Sequence, residues 1–216
     1  MPEVKKLRIA FLLSGRGTTL ANLLAKVDSG EVPAEVVRVI SSRSEAGGLK
    51  IAAKAHIPSK VIRTKDFADC EAFSAAVTRE MDDAGTDYAI FGGYLCYYIV
   101  PKAYRNRIIN VHPALLPAFG GQGMWGEHVH TAVLESGVKV TGCTIHFVDD
   151  TYDHGPIILQ KVVRVFPGDD VAKLAARVQR VERRALPEVL TWIAEERVRV
   201  QGRIVTVEPR MPKGIR

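Results

Sequence analysis

The chain has 216 residues, of which 47% are hydrophobic and 25% charged, with a formal net charge of +6 and a pI near 9.3. This length and apolar content suit one folded domain with a sizeable core and exclude a disordered chain. The longest apolar run near the N-terminus, residues 9–13, is far short of the roughly 20 residues of a membrane helix, and Ser14-Gly15-Arg16 interrupts it too soon for a secretory signal.

A cytoplasmic protein is therefore expected. Cys70, Cys96 and Cys143 are odd in number, far apart and without a CxxC pair. They argue against a disulfide framework and a zinc site, and for three reduced, mostly buried thiols. The basic residues are spread along the chain, densest at 177–184 and 197–216, with no aromatic-plus-basic ladder. A modest positive field that draws in phosphate and carboxylate ligands accounts for the charge as well as nucleic acid would.

Residues 7–13 (LRIAFLL) form a nearly continuous apolar run, which predicts a strand buried on both faces. The turn Ser14-Gly15-Arg16-Gly17-Thr18-Thr19 follows, then an amphipathic helix over 20–27. Residues 35–41 predict a second strand, 49–56 a second helix and 59–64 a short third strand. Phe73, Val77 and Met81, spaced by four, make 70–84 helical. Residues 88–92 predict a fourth strand, 97–104 a short helical piece and 108–111 a fifth strand. This β-α-β alternation implies a parallel sheet with helices on both faces, a doubly wound half over about 7–111.

The pattern then changes. Residues 113–127 (PALLPAFGGQGMWGE) read as a loop, and 129–135 as a short helix. Residues 140–148 and 156–165 predict two long strands, and 170–195 a long helix with Pro187 as a break or bend. Residues 197–207 alternate around Gln201-Gly202 and predict a β-hairpin. Residues 209–216 read as a disordered tail. The expected fold class is α/β, a doubly wound, mostly parallel sheet with an antiparallel C-terminal part. A single domain over 1–208 would comprise a nucleotide-binding half and a catalytic half from about 112.

Four segments carry candidate chemistry. The first turn joins a buried strand to a helix N-terminus, whose free N–H groups and dipole favour an anion. Gly15 and Gly17 permit close approach, and Thr18 and Thr19 can cap the helix or bond phosphate oxygens. It is not a Walker A loop, and Leu20 occupies the third position of a dinucleotide fingerprint. In the fifth strand, Asn110 and His112 face the same side and Val111 the other. They fall at the C-terminal strand edge, where open α/β sheets bind ligands. Asn110 can donate to a developing oxyanion, and His112 can exchange a proton near neutral pH.

Between the two long strands stand Asp149, Asp150 and Asp153. Any one of them could orient His112, and spacing does not choose among them. A metal site is the competing reading, without EF-hand spacing to support it. Glu182 stands among Arg177, Arg180, Arg183 and Arg184. It could bind a substrate amine or hydroxyls, but in isolation an exposed helix face with i,i+4 ion pairs is the simpler reading.

Residues 9–20 (IAFLLSGRGTTL), 109–117 (INVHPALLP) and 144–156 (TIHFVDDTYDHGP) together make the chain similar to the phosphoribosylglycinamide formyltransferases, the folate-dependent enzymes of purine (IMP) synthesis, over about residues 7–200. The Asn-x-His-Pro-Ala-Leu-Leu-Pro segment marks the wider formyltransferase superfamily, and the Ser-Gly-x-Gly-Thr-x-Leu loop narrows the likeness. The GGQGMWG stretch after Phe119 resembles that of a subgroup.

The resemblance implies a Rossmann-like formyltransferase fold and direct acyl transfer. Gly15, Gly17, Thr18 and Thr19 would hold the phosphate of glycinamide ribonucleotide, and Glu182 its ribose hydroxyls. Tyr94, Leu95, Cys96, Tyr97 and Tyr98, with Asn110, would line the pterin pocket, partly through backbone groups. The segment Asp149–Asp153 would form the opposite wall, with Asp149 and Asp150 binding folate. Asn110, His112 and Asp153 would be catalytic, with protonated His112 stabilising the intermediate and Asp153 favouring that charge. The cosubstrate would be 10-formyltetrahydrofolate, with no metal. The partners would be these small molecules, without nucleic acid or membrane, in a monomer or homodimer.

Two departures stand out. Cys70 occupies the place where many members carry an arginine for the folate tail, which Lys65 could replace. The segment after Gly93 (YLCYYIVP) lacks the Met-Arg-Ile-Leu pattern and is one residue longer. Three rivals are set against this reading. Formyltetrahydrofolate deformylase normally carries an N-terminal regulatory domain, for which a first strand starting at Leu7 leaves no room. Methionyl-tRNA formyltransferase normally carries a C-terminal domain of about 100 residues, within the usual range for a separate domain. A non-catalytic nucleotide-binding module would have no use for Asn110, His112 and Asp153 together.

Overall fold

The computed structural model describes residues 6–210. A seven-stranded sheet runs through it in the order β3-β2-β1-β4-β5-β6-β7. The strands β1 (Leu7–Leu13), β2 (Ala34–Ser41), β3 (Ser59–Val61), β4 (Tyr88–Phe91) and β5 (Ile108–His112) are parallel, while β6 (Val140–Phe147) and β7 (Ile157–Arg164) are antiparallel. The helices are α1 (Thr18–Asp28), α2 (Gly47–Lys54), α3 (Cys70–Asp83), α4 (Glu127–Glu135) and α5 (Val171–Ala194). A separate hairpin, β8 (Val198–Gln201) and β9 (Ile204–Val207), follows.

Central strand β1 is buried at every position but Arg8, as its apolar run requires. Its side chains alternate between two cores. Ile9, Phe11 and Leu13 join one with α1 and α5, whereas Ala10 and Leu12 join the other with Phe73, Val77 and Met81 of α3. The antiparallel strands extend the same sheet across residue 112, because β5 pairs with β6 from Ile109↔Phe147 to His112↔Thr144.

Four local expectations change. Residues 97–104 are not helical beyond a single 3-10 turn at Lys102–Tyr104. The Ile99 N–H is taken by Ser74 Oγ and the Val100 N–H by Asp150 Oδ1, and Pro101 has no N–H to offer. Strand β3 stops at Val61, and a 3-10 turn at Thr64–Asp66 is held by Arg63 gripping Asp66 with two nitrogens. Of the cysteines, Cys143 is buried while Cys70 and Cys96 are half-buried, and all three are free thiols. The hairpin turn is Gly202-Arg203, one residue later than the alternation places it, because Gln201 already pairs with Ile204. Most of the 209–216 tail lies outside the described residues; within them, Arg210 pairs with Glu195 at 2.9 Å.

Pro187 neither breaks nor ends α5. A proline inside a helix leaves the carbonyl four residues earlier without its N–H partner. Here that carbonyl, on Arg183, accepts a hydrogen bond of 3.0 Å from Asn22 Nδ2 of α1. An interhelix bond thus replaces the missing intrahelical one. Asn22→Ala is expected to lower unfolding stability by about 0.5–1 kcal/mol in denaturant melts, since water can take over only part of this exposed bond to the carbonyl.

Candidate active site

The strand order places β1 beside β4, while the chain leaving β1 turns away to β2. The loops after β1 and β4 therefore diverge and open a crevice at the carboxyl ends of the parallel strands. A cleft of about 750 Å³ lies there, bounded by the loops after β1, β4 and β5, by α4 and α5, and by the 148–153 segment. Ser14 ties its floor together, for its buried Oγ accepts from Ser42 Oγ at 2.6 Å and from the Leu95 N–H at 2.9 Å.

At one end of the cleft stand Gly15, Gly17, Thr18 and Thr19. Gly17 is the N-cap of α1 with φ +76°, and among the described residues no side chain caps the helix. The threonine cap allowed by the sequence does not form, so the helix N-terminus presents bare N–H groups and two hydroxyls to the cleft. Glu182 faces this end from α5. It is not on an ion-paired outer face: among the described residues its carboxylate makes no hydrogen bond or salt bridge. Burial pushes its pKa up to about 7, with Arg183 only partly opposing the rise. A half-desolvated carboxylate without a partner is a ready acceptor for hydroxyl groups.

At the other end, Tyr94, Leu95, Cys96, Tyr97 and Tyr98 line the cleft. The rings of Tyr94 and Tyr98 are buried in the second core beside Phe91, with Tyr98 Oη on Thr78 Oγ1 at 2.6 Å. What this segment offers a ligand is main chain. Among the described residues, the N–H groups of Cys96 and Tyr97 and the carbonyls of Tyr94, Leu95 and Cys96 form no hydrogen bond. Opposite, Tyr97 and Tyr152 pack with ring centroids 5.4 Å apart.

The three aspartates separate by role. Asp149 pairs with His154 Nδ1 at 2.9 Å and accepts from the Thr151 N–H at 3.0 Å. Asp150 points away from the cleft, toward the Val100 N–H and Arg105 at 3.6 Å. It does not line the cavity where the folate wall was expected.

Asp149 and Asp153 both line the cleft, but only Asp153 reaches Asn110 and His112, from a left-handed backbone with φ +53°. Its Oδ1 accepts from Asn110 Nδ2 at 3.2 Å, and its Oδ2 accepts from the Gly121 N–H at 3.0 Å and lies 3.4 Å from His112 Nδ1. Burial works to raise this carboxyl. The His146 imidazole 3.6 Å from Oδ1, the charge that His112 carries when protonated and the Gly121 N–H outweigh it, and the pKa falls below the ordinary value.

His112 is 2% exposed. Its Nε2 lies 2.8 Å from the Phe119 carbonyl, which can only accept, so the proton sits on Nε2 and the free lone pair is on Nδ1. Burial pulls its pKa down, and Asp153 and the Phe119 bond only partly restore it. The resting imidazole is therefore neutral. Asp153 was expected to favour the charged form; it does, but desolvation prevails until a proton arrives.

Two histidines were missed in the sequence. His146 lies across from Asn110 in the β5–β6 pair. Its Nδ1 donates to the Phe147 carbonyl at 2.8 Å, leaving Nε2 to accept from Asn110 Nδ2 at 3.1 Å. Both amide hydrogens of Asn110 are thus held, one by His146 and one by Asp153. The signal was a titratable residue in the buried run of β6, where the other polar residues are threonines. His130, on α4, lines the cleft with a buried Nδ1 that has no hydrogen-bond partner among the described residues. Cys70 does not line the cleft; its Sγ lies 3.8 Å from Ser74 Oγ. Arg16 and Arg43, not singled out for this role, supply cationic lining. Among the described residues no group of three or more His, Cys, Asp and Glu could hold a metal ion. No helix among them is long and apolar enough to cross a membrane.

A bare helix N-terminus and a carboxylate–imidazole–amide cluster meet in one cleft at a switch point of a Rossmann-like sheet, and residues 7–190 match the formyl transferase family, to which the chain belongs. It is 31% identical over 210 residues to the phosphoribosylglycinamide formyltransferase of Haemophilus influenzae, covering 95% of this chain and 96% of that one. Glycinamide ribonucleotide transformylase 1 from Symbiobacterium toebii superposes with a TM-score of 0.89 at 39% identity, over 94% of this chain and 95% of that one. The trifunctional purine biosynthetic protein adenosine-3 of Drosophila pseudoobscura pseudoobscura is 39% identical over 213 residues, which cover 97% of this chain. This chain spans only 15% of that relative's length.

Proposed function

We propose that the chain transfers the formyl group of 10-formyltetrahydrofolate to the amine of N1-(5-phosphoribosyl)glycinamide, a step of purine (IMP) synthesis. The observation that carries this reading is the position of Asp153, Asn110 and His112 at the junction of two unlike cleft ends. One end suits a phosphorylated ribose, through the α1 N-terminus and Glu182. The other suits the polar edge of a flat heterocycle, through the unpaired peptide groups of residues 94–97. A cleft of about 750 Å³ is within the usual range for small-molecule sites.

The cosubstrate supplies an activated formyl carbon. Attack by the amine forms a C–N bond and moves the carbonyl π pair onto oxygen. Asn110 is held by bonds of 3.1 and 3.2 Å, at the long end of the normal range, and can redirect one N–H to that oxyanion. Neutral His112 takes a proton from the attacking nitrogen at Nδ1. The imidazolium that results is stabilised by Asp153 on one side and the Phe119 carbonyl on the other. His112 then returns the proton to the departing folate nitrogen as its C–N bond breaks and the carbonyl re-forms. Either small-molecule product can leave without a covalent enzyme intermediate.

Glu182 gives this reading a separate handle. Its raised folded pKa means that ionisation opposes folding, so its contribution is most favourable at low pH and is lost as pH rises through about 7. Glu182→Gln is expected to raise the melting stability at pH 8 by about 1–2 kcal/mol. It should raise KM for the ribonucleotide about tenfold through the lost charged acceptor, as steady-state kinetics and melts at pH 6 and 8 would read.

The assay that tests the function supplies 10-formyltetrahydrofolate with and without the ribonucleotide amine and follows folate release. Amine-dependent release is expected. Equal release without the amine would make the chain a deformylase, and no release would leave a binding module.

A further inference from the structure

Tyr97 and Val100 hold the 149–154 loop from one side, through the Asp150 carbonyl at 2.8 Å and its Oδ1 at 3.3 Å. The other side is held from outside the main sheet. The β8–β9 turn, opened by Gly202 at φ +61°, carries Arg203 onto His154, the residue after Asp153. Arg203 Nη2 donates to the His154 carbonyl at 2.7 Å. Its Nη1 lies 3.0 Å from His154 Nδ1 and 2.9 Å from Nε2. A nitrogen equally close to both ring nitrogens is in line with neither lone pair. The ring contact is therefore packing of the planar cation, and the directional bond is the one to the carbonyl. His154 in turn holds Asp149, which closes the loop through the Thr151 N–H.

This bond matters because of the backbone at Asp153. A left-handed φ of +53° carries a cost at a residue with a Cβ, smaller for aspartate than for most, and contacts around it help to hold it. The peptide plane after Asp153 ends in the His154 residue whose carbonyl Arg203 pins. Release of that residue would remove one restraint on this backbone and on the aim of the Asp153 carboxylate at His112, Asn110 and the Gly121 N–H.

We propose that Arg203, some fifty positions from Asp153 in the chain, is a positioning residue that holds Asp153 in reach of His112 and Asn110. The inference rests on the formyl-transfer reading for its kinetic consequence, though not for its structural one. Arg199 provides the control. It bonds the Glu196 carbonyl and pairs with Glu208 within the hairpin region, without touching the loop.

The full chain is compared with Arg203→Ala, Arg203→Lys and Arg199→Ala by kinetics and amide hydrogen exchange. Arg203→Ala is expected to speed exchange at residues 151–155 about tenfold or more. It should lower kcat about tenfold through misplacement of the carboxylate, with KM for the ribonucleotide within about twofold. The acid limb of the kcat/KM profile should move to lower pH. His112 is faced by Asp153, His146 and His130, and a displaced Asp153 supports its protonated form less. Arg203→Lys should recover part of kcat, and Arg199→Ala should behave as the wild type. Unchanged exchange at 151–155 in Arg203→Ala overturns the proposal, as does an unchanged kcat and pH profile. A loss in Arg199→Ala equal to that in Arg203→Ala also overturns it. Faster exchange in Arg203→Ala alongside a wild type that transfers no formyl group would uphold the anchor and refute the functional reading.

Discussion

Asp153→Asn is expected to lower kcat by roughly a hundred- to a thousandfold, about 3–4 kcal/mol of transition-state stabilisation. The amide is nearly isosteric, so the effect isolates charge and hydrogen-bond polarity. In the wild type one carboxylate oxygen accepts from Asn110 and the other from the Gly121 N–H, and Oδ2 also faces His112 Nδ1. An amide can accept at only one of these positions and must set its NH2 against a donor at the other. The imidazolium formed during turnover also loses its counter-charge. Because burial already depresses the His112 pKa, that loss falls on a group with little capacity to hold a proton.

KM for the ribonucleotide should change little, since the α1 N-terminus and Glu182 are untouched. The folded pKa of Asp153 is depressed. Its contribution to stability is therefore complete above the ordinary carboxylate pKa of about 3.9 and is lost as pH falls through the lower folded value. The variant should accordingly lose part of the wild type's acid-side pH dependence in thermal melts.

Gly17→Ala is the second large effect, and it acts on binding. A Cβ at Gly17 would lie 2.5 Å from the Gly48 Cα and 3.2 Å from its nitrogen, and φ there is +76°. The obstacle is backbone and cannot swing aside. Gly48 is itself wedged against Leu13, where a Cβ would meet Cδ2 at 2.3 Å, and its N–H bonds the Gly15 carbonyl at 3.2 Å. Helix α2 therefore cannot retreat without disturbing β1. The turn must move, and the N–H groups of α1 move with it. The left-handed conformation adds about 1–2 kcal/mol for a residue with a Cβ. The total expected loss of stability is about 2–4 kcal/mol. KM for the ribonucleotide should rise ten- to a hundredfold, with folate affinity within about twofold, because a displaced turn forfeits charge-assisted bonds to phosphate. Titration of each ligand separately, with a melt, distinguishes this from general unfolding.

Much of this site was legible in the residues. The continuous apolar run of β1 required burial on both faces, and a glycine turn after it required a helix N-terminus at the sheet edge. Alternation placed Asn110 and His112 on one side of β5, where both now meet Asp153. Alternation could not choose among Asp149, Asp150 and Asp153, because they lie in an irregular connection where side-chain direction follows individual φ values. The positive φ at Asp153 decides it.

Residues 97–104 misled for a related reason. Their amides are claimed by Ser74 and Asp150 from distant segments, which no local pattern reveals. Glu182 looked like one member of a charged helix face, yet the packing of α5 against α1 and α4 turns it into the cleft. His146 and His130 sit among apolar neighbours, where a histidine reads as core until its partners are seen. The protonation state of His112 also had to wait for the fold, since it depends on the depth of burial set against one carboxylate.

The central claim is that the formyl carbon passes to an amine and not to water. The most direct measurement mixes the protein with 10-formyltetrahydrofolate carrying an isotopic label in the formyl carbon, together with glycinamide ribonucleotide, and separates the products. The label is expected in the N-formyl ribonucleotide, with the rate collapsing in Asp153→Asn. Label recovered as formate at the same rate whether or not the amine is present would contradict the account.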